Sequence, residues 1–151
     1  LCAEALVRLG STRRTRDEAI RELVDLLHLA GRTDDPDGVE DAIWRREDTC
    51  STGVGFGVAI PHCRSRHVGV DSIALLRFER GVDGEALDGE PVGIAILVAL
   101  SEASEGDAHL RMIAALSRRL MDDEYRERLR AAVTPAEAVA RLGEAIGTGG
   151  G

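Results

Sequence analysis

The sequence predicts an α/β layered domain, and three observations carry that expectation. Residues 92–100 are an uninterrupted apolar run, the pattern of a strand covered on both faces. Shorter extended stretches stand before it at 58–60 and 72–78. Segments with helical spacing of apolar residues lie on both sides of these strands in the sequence, so helices are available to cover a sheet. Strand order is not readable from the pattern. At 151 residues the chain has the size of one domain with its own core.

The first helix is expected over about 16–30. Thr15-Arg16-Asp17-Glu18 is a capping box, with Thr15 accepting from the backbone and Glu18 reaching back. Ile20, Leu23, Val24 and Leu27 form the apolar face, and Gly31 closes the helix. A second helix opens at Asp35-Pro36, with Pro36 in the first helical position, and places Val39, Ala42, Ile43 and Arg46 on one side. Over 47–57 the periodicity vanishes and Ser, Thr and Gly dominate, which reads as a loop. The strand at 58–60 is ended by Pro61; the strand at 72–78 leads into a turn around Gly81 and Gly84. A polar loop at 101–107 follows the covered strand. Three helices complete the chain: 109–121 with Leu110, Ile113, Leu116 and Leu120, 123–132 with Tyr125 and Leu129, and 137–146 behind a second capping box, Thr134-Pro135-Ala136-Glu137. No internal repeat is present. Residues 1–146 read as one domain, and the Gly-rich 147–151 as a tail or the start of a linker.

Composition removes several functions. The formal net charge is −8, against the basic face that a nucleic-acid binder needs. All 19 basic residues are arginines, so lysine-based phosphate loops and Schiff bases are excluded. Neither Asn nor Gln occurs, which removes glycosylation sequons and Cys-His-Asn triads. Trp44, Phe56, Phe78 and Tyr125 are too few for a stacking platform. Cys2, Cys50 and Cys63 are odd in number and lack framework spacing, so a reducing compartment without structural disulfides is expected. The apolar run is too short to span a bilayer, and the N-terminus lacks a signal-peptide pattern.

The chemically loaded segment runs from Arg45 through Ser51-Thr52-Gly53-Val54-Gly55-Phe56-Gly57 to Ala59-Ile60-Pro61-His62-Cys63-Arg64. Glycines let the backbone turn N–H groups toward an anion, and hydroxyls add donors. Behind a rigid proline stands one histidine, bracketed by Arg46 and Arg64. A nucleophilic imidazole beside anion donors suits phosphoryl transfer. The residues alone also allow a glycine-rich turn before a strand, with His62 an ordinary half-buried residue. Cys50, His62, Cys63 and His67 are a possible zinc set, but their spacing fits no standard site; no metal and no cofactor are expected. His28 suits the end of the first helix, Trp44 reads as packing, and Arg118 and Arg119 read as a solvated face. Arg64 and Arg66 are open between site donors and partner contacts.

The segment Ser51-Thr52-Gly-Val-Gly-Phe-Gly-Val-Ala-Ile-Pro61-His62, preceded by the Arg46-Glu47 pair, resembles the signature of the type-2 enzyme IIA domains of the bacterial phosphotransferase sugar-uptake system. This is the fructose, mannitol and nitrogen-regulatory family. Softer matches extend over nearly the whole chain, at Glu18-Ala19-Ile20, Gly81-Val82-Asp83, 87–92, His109-Leu110 and 122–124. The resemblance implies a sandwich with a mixed β-sheet and helices on both faces. It implies that His62 is phosphorylated, taking phosphate from the carrier HPr and passing it to a IIB component, with the membrane IIC served indirectly. By the same resemblance Arg46 and His109 are the other active-site residues, and Ser51, Thr52, Gly53, Gly55, Gly57 and Arg64 surround the phosphate. A start of helix at His109 agrees, because exposed N–H groups there favour an anion. Two positions depart from the family. Phe56 stands where a polar residue is common. Cys63 replaces a common small residue, and reads as a filler or as a thiol that senses oxidation. The function implied is a cytoplasmic phosphocarrier of fructose type, free or tethered to a permease through a longer chain. The alternatives are a regulatory module that reports phosphorylation state and a non-catalytic zinc-binding or scaffold domain.

Overall fold

The structure, a computed structural model, describes residues 2–12, 15–49, 53–55, 57–82, 92–103 and 107–146, with only the backbone at 46–49, 53–55, 80–82, 92, 108 and 109. Its strands are β1 (Val7–Ser11), β2 (Gly53–Gly55), β3 (Val58–Ala59), β4 (His62–Ser65), β5 (Ser72–Val82) and β6 (Val92–Ser101). Its helices are α1 (Arg16–Leu29), α2 (Pro36–Thr49), α3 (Ala108–Leu120), α4 (Asp123–Ala131) and α5 (Pro135–Ile146), and a short 3-10 turn, Glu4–Leu6, precedes β1. No helix among the described residues is long and apolar enough to cross a membrane.

The sheet is open and mixed, in the order β1-β5-β6-β3-β2, with β4 also paired to β6. β5 and β6 are antiparallel; β1 lies parallel to β5, and β3 and β4 lie parallel to β6. From Ile94 to Leu100 the run is covered on both faces. Ala95, Leu97 and Ala99 join a core with Leu23, Leu27, Val39 and Ile43 of α1 and α2. Ile94, Ile96, Val98 and Leu100 join a second core with Leu116, Leu120, Tyr125, Leu129 and Leu142 of α3, α4 and α5. A strand between two helical layers has no solvent face, which is why its sequence does not alternate.

Several expectations need correction. β3 ends at Ala59, ahead of Pro61 as expected, but pairing along β6 resumes at His62. Ala59 pairs with Ala95 and His62 with Val98, so β3 and β4 hold one register along β6. Pro61 lacks the N–H that the ladder would use, yet its carbonyl accepts from Val98 N at 3.0 Å; the proline removes one donor and leaves the path intact. The expected loop over 47–57 is partly regular: α2 continues to Thr49, and Gly53–Gly55 form an edge strand antiparallel to β3. β5 runs on to Val82, past the expected turn at Gly81; Gly84 lies outside the described residues. Leu110 is 58% exposed and belongs to neither core. At 3.6 residues per turn it stands about 120° around the helix from Leu116. Arg119 is not simply solvated: its guanidinium lies 5.0 Å from the Tyr125 ring centroid, and Nη2 is 3.9 Å from Glu144.

The signals at the two ends of α1 behave as expected. Thr15 Oγ1 accepts from Glu18 N, and Glu18 Oε1 accepts from Thr15 N, both at 3.2 Å. α1 ends in a Schellman motif: Arg32 N donates to Leu27 O at 2.8 Å, and Gly31 N to His28 O at 3.1 Å, with Gly31 at φ +74°. The second box is shifted at one arm. Glu137 N donates to Thr134 Oγ1 at 3.3 Å, but Glu137 Oε2 accepts from Val133 N rather than from Thr134. Trp44 packs partly buried on the α1–α2 core, under the Arg16 guanidinium.

Candidate functional site

His62 opens β4, and the sheet decides where it points. Side chains along β3 and β4 alternate. Ala59 and Cys63 face the α1–α2 core, whereas Val58 and Ile60 face the α3–α5 core. His62 pairs with Val98 of that second core, and so takes the α3 side. The imidazole is partly buried, and Nδ1 stands 2.9 Å from Ile60 O. A carbonyl oxygen only accepts, so Nδ1 is the protonated nitrogen of the neutral ring and Nε2 carries the lone pair.

Three elements carry the residues expected to act with Nε2. The first is α3, which begins at Ala108 with Asp107 at its cap position and has His109 as its second residue. Its N-terminal N–H groups supply partial positive charge. The His109 side chain lies outside the description. The second is the glycine hairpin. Pairing of Gly55 with Val58 and of Gly53 with Ala59 runs toward His62. Gly57 turns the hairpin at φ +77°, a left-handed conformation that glycine adopts without strain. Gly57 O accepts from Gly93 N at 2.7 Å and from Ile94 N at 3.2 Å, so the hairpin is anchored to β6. Ser51, Thr52, Cys50 and Phe56 lie outside the described residues. The third is β4 itself, where Arg64 stands two residues past His62 on the same strand face, with Nη2 donating to Glu102 O at 3.0 Å. Arg46 is in the last turn of α2, the helix that packs on β4, and its side chain also lies outside the description.

Other candidates separate from this group. Cys63 faces away from His62, is 7% exposed, and burial pushes its thiol up to about 12. That is the environment of an inert filler, not of a redox sensor, whose thiolate must form near neutral pH. Opposed faces also keep His62 and Cys63 from ligating one ion. Among the described residues no three of His, Cys, Asp and Glu come together as a metal set. Arg66 and His67 line a polar cavity of about 310 Å³ between the α1–α2 connection and the β4–β5 loop, where His67 Nδ1 is 3.2 Å from Asp35. His28 sits exposed in the last turn of α1.

A mixed sheet between two helical layers, with a strand-borne histidine on the sheet face that α3, α4 and α5 cover, defines the class as an α/β domain. The family model described as phosphoenolpyruvate-dependent sugar phosphotransferase system, EIIA 2, matches residues 1–145, and the chain belongs to this family. Domains of the family are phosphotransferase components with phosphohistidine intermediates. The chain is 40% identical over 124 residues to the "PTS system fructose-specific EIIA component" of Haloferax volcanii, covering 82% of this chain and 80% of that one. It is 35% identical to the "PTS system fructose-specific EIIABC component" of Bacillus subtilis and 36% to "Multiphosphoryl transfer protein 2" of Escherichia coli. There it covers 85% and 90% of this chain but spans only 20% and 16% of those longer proteins. Among solved structures, nitrogen regulatory protein IIA-Ntr of Neisseria meningitidis superposes with a TM-score of 0.86 at 27% identity, over 93% of this chain and 95% of that one. IIA mannitol of Escherichia coli, at 23% identity and a TM-score of 0.77, shares the fold, over 93% of this chain and 97% of that one.

Proposed function

We propose that residues 1–146 form a cytoplasmic phosphocarrier that takes a phosphoryl group from phospho-HPr on His62 Nε2 and hands it to a IIB partner of a fructose-type system. The observation that carries this is the Nδ1 to Ile60 O hydrogen bond at 2.9 Å. It holds the tautomer in which Nε2 is the nucleophile. In the transfer a bond forms from Nε2 to phosphorus as the bond from phosphorus to the donor histidine breaks, and the bonding pair returns to the donor nitrogen. The His62 ring gains positive charge while Nδ1 keeps its proton, and the Ile60 carbonyl strengthens its hold on that charged donor. The equatorial oxygens need donors, and the N-terminus of α3, His109, Arg46 and the Ser51 to Gly57 segment are the proposed ones. Both ends of the exchange are phosphohistidines or a comparable thiol ester of phosphate, so no nucleotide enters the step.

The fructose assignment rests on the identity to the Haloferax volcanii and Bacillus subtilis components. A regulatory role is the second reading, favoured by the superposition on the nitrogen regulatory protein. Incubation with phosphoenolpyruvate, enzyme I and HPr is expected to add one acid-labile phosphate, read by intact mass. The His62→Ala chain is expected to take up none, and its full phosphorylation would remove His62 from the role. Transfer onward to a fructose-type IIB separates the transport reading from the regulatory one.

A further inference from the structure

The connection from β6 to α3 is pinned at its root by two charged side chains. Ser101, the last residue of β6, donates its N–H to Asp71 Oδ1 at 2.9 Å, from the side of β5. The next carbonyl, Glu102 O, accepts from Arg64 Nη2 at 3.0 Å, from the side of β4. The backbone ladder pairs Arg64 with Leu100 and Ser65 with Ser101, so Glu102 is the first residue beyond the sheet. The chain then reaches the cap of α3 at Asp107, and His109 is the second residue of that helix.

From this arrangement we infer that Arg64 and Asp71 are positioning residues, which set the N-terminus of α3 and with it His109 against the phosphoryl group on His62. The inference rests on the phosphocarrier reading above and specifies how Arg64 serves it. Arg64 stands on the strand that carries the nucleophile, and its hydrogen bond ends on the segment that leads to the helper histidine. One side chain therefore couples the two halves of the site. The guanidinium is suited to this because it can hold a carbonyl with one nitrogen while its remaining donors face elsewhere. Asp71 fixes the same segment one residue earlier, so that Glu102 O is presented to Arg64 from a set position. Displacement of a donor by about 1 Å costs up to about a hundredfold in rate, which makes the anchoring of the α3 terminus matter for transfer.

A double-mutant cycle on the rate of phosphoryl uptake from phospho-HPr tests this. Arg64→Ala is expected to slow uptake about ten- to a hundredfold in the wild-type background, but less than about twofold in a His109→Ala background, because both changes remove the same contribution. Asp71→Ala is expected to follow Arg64→Ala, and Asp71→Asn, which keeps an acceptor for Ser101 N, to stay near wild type. Hydrogen exchange of the α3 first-turn amides at 111–113 is the arm that needs no phosphate, and it is expected to accelerate in both alanine variants. Additive losses in the cycle would mean that Arg64 meets the phosphate directly, and overturn the inference. Unchanged exchange at 111–113 would overturn it as well. A wild-type chain that takes up no phosphate sinks the phosphocarrier reading instead, and leaves the exchange arm to decide the anchoring.

Discussion

At the scale of single residues, His62 and Cys63 show how one step along a strand divides chemistry from packing. The two are neighbours in sequence, yet one faces α3 and the other lies in the α1–α2 core. His62 keeps its proton on Nδ1 through Ile60 O. The expected product is therefore the Nε2-phosphohistidine, and the ring nitrogen shifts and phosphorus couplings of a labelled, phosphorylated sample read it directly. A phosphate on Nδ1 would require the Ile60 bond to break, and its detection would contradict that tautomer. Sequence spacing places His62 beside the glycines; the identity of the nucleophilic nitrogen needs the carbonyl of Ile60, two positions back.

At the scale of elements, α4 depends on a side chain from the sheet. Arg77 of β5 sends Nη1 to the carbonyls of Leu129, Arg130 and Ala132, at 3.3, 2.7 and 2.6 Å, where α4 ends. Helix ends leave such carbonyls without intrahelical partners, and a cation there also meets the negative end of the dipole. Arg77→Met keeps the apolar stem and removes the guanidinium. It is expected to cost about 1.5–3 kcal/mol, the worth of hydrogen bonds from a charged donor, with faster hydrogen exchange confined to the end of α4 and the start of α5. Urea unfolding and residue-resolved exchange check it, and a uniform loss of protection across the molecule would contradict a local cap. β1 is tied comparably: buried Glu22 of α1 accepts from Ser11 Oγ at 2.5 Å and from Arg8 Nη1 at 3.1 Å.

At the scale of the whole molecule, the two cores bury groups that resist ionisation at alkaline pH. Burial raises the thiol of Cys63 from 9.0 to about 12 and that of Cys2 from 9.0 to about 11. Burial likewise raises the Tyr125 phenol from 10.0 to about 12; its hydroxyl donates to Arg141 O at 2.7 Å. Between the lower and upper values the unfolded chain has released these protons and the folded chain still holds them. Stability to urea is therefore expected to be full below about pH 9 and to fall as pH rises from there through the folded values. Cys63→Ala removes one contributor and should flatten that fall, read as the slope of unfolding free energy against pH. An unaltered slope would mean that the Cys63 thiol is as acidic in the folded protein as in the unfolded chain.

What the sequence determined by itself is whatever near neighbours encode. The Thr15 box, the Schellman turn at Gly31, the covered strand after Val92 and the Gly-rich segment before Pro61-His62 each depend on residues a few positions apart, and the family's signature is legible there. The tertiary structure alone decided the rest. β1, β2 and β4 are short and partly polar, so their pattern is too brief to stand out, and they exist as strands because β5, β3 and β6 offer backbone partners. Pro61 reads as a stop because a missing donor is a local fact, whereas the pairing that resumes at His62 depends on β6, where Val98 donates its N–H to the Pro61 carbonyl from far along the chain. The hold of Arg64 on Glu102 spans 38 residues and that of Arg77 on the end of α4 spans 52 to 55, and no local periodicity records such contacts. They follow from strand order, which fixes which side chains of distant segments share a face.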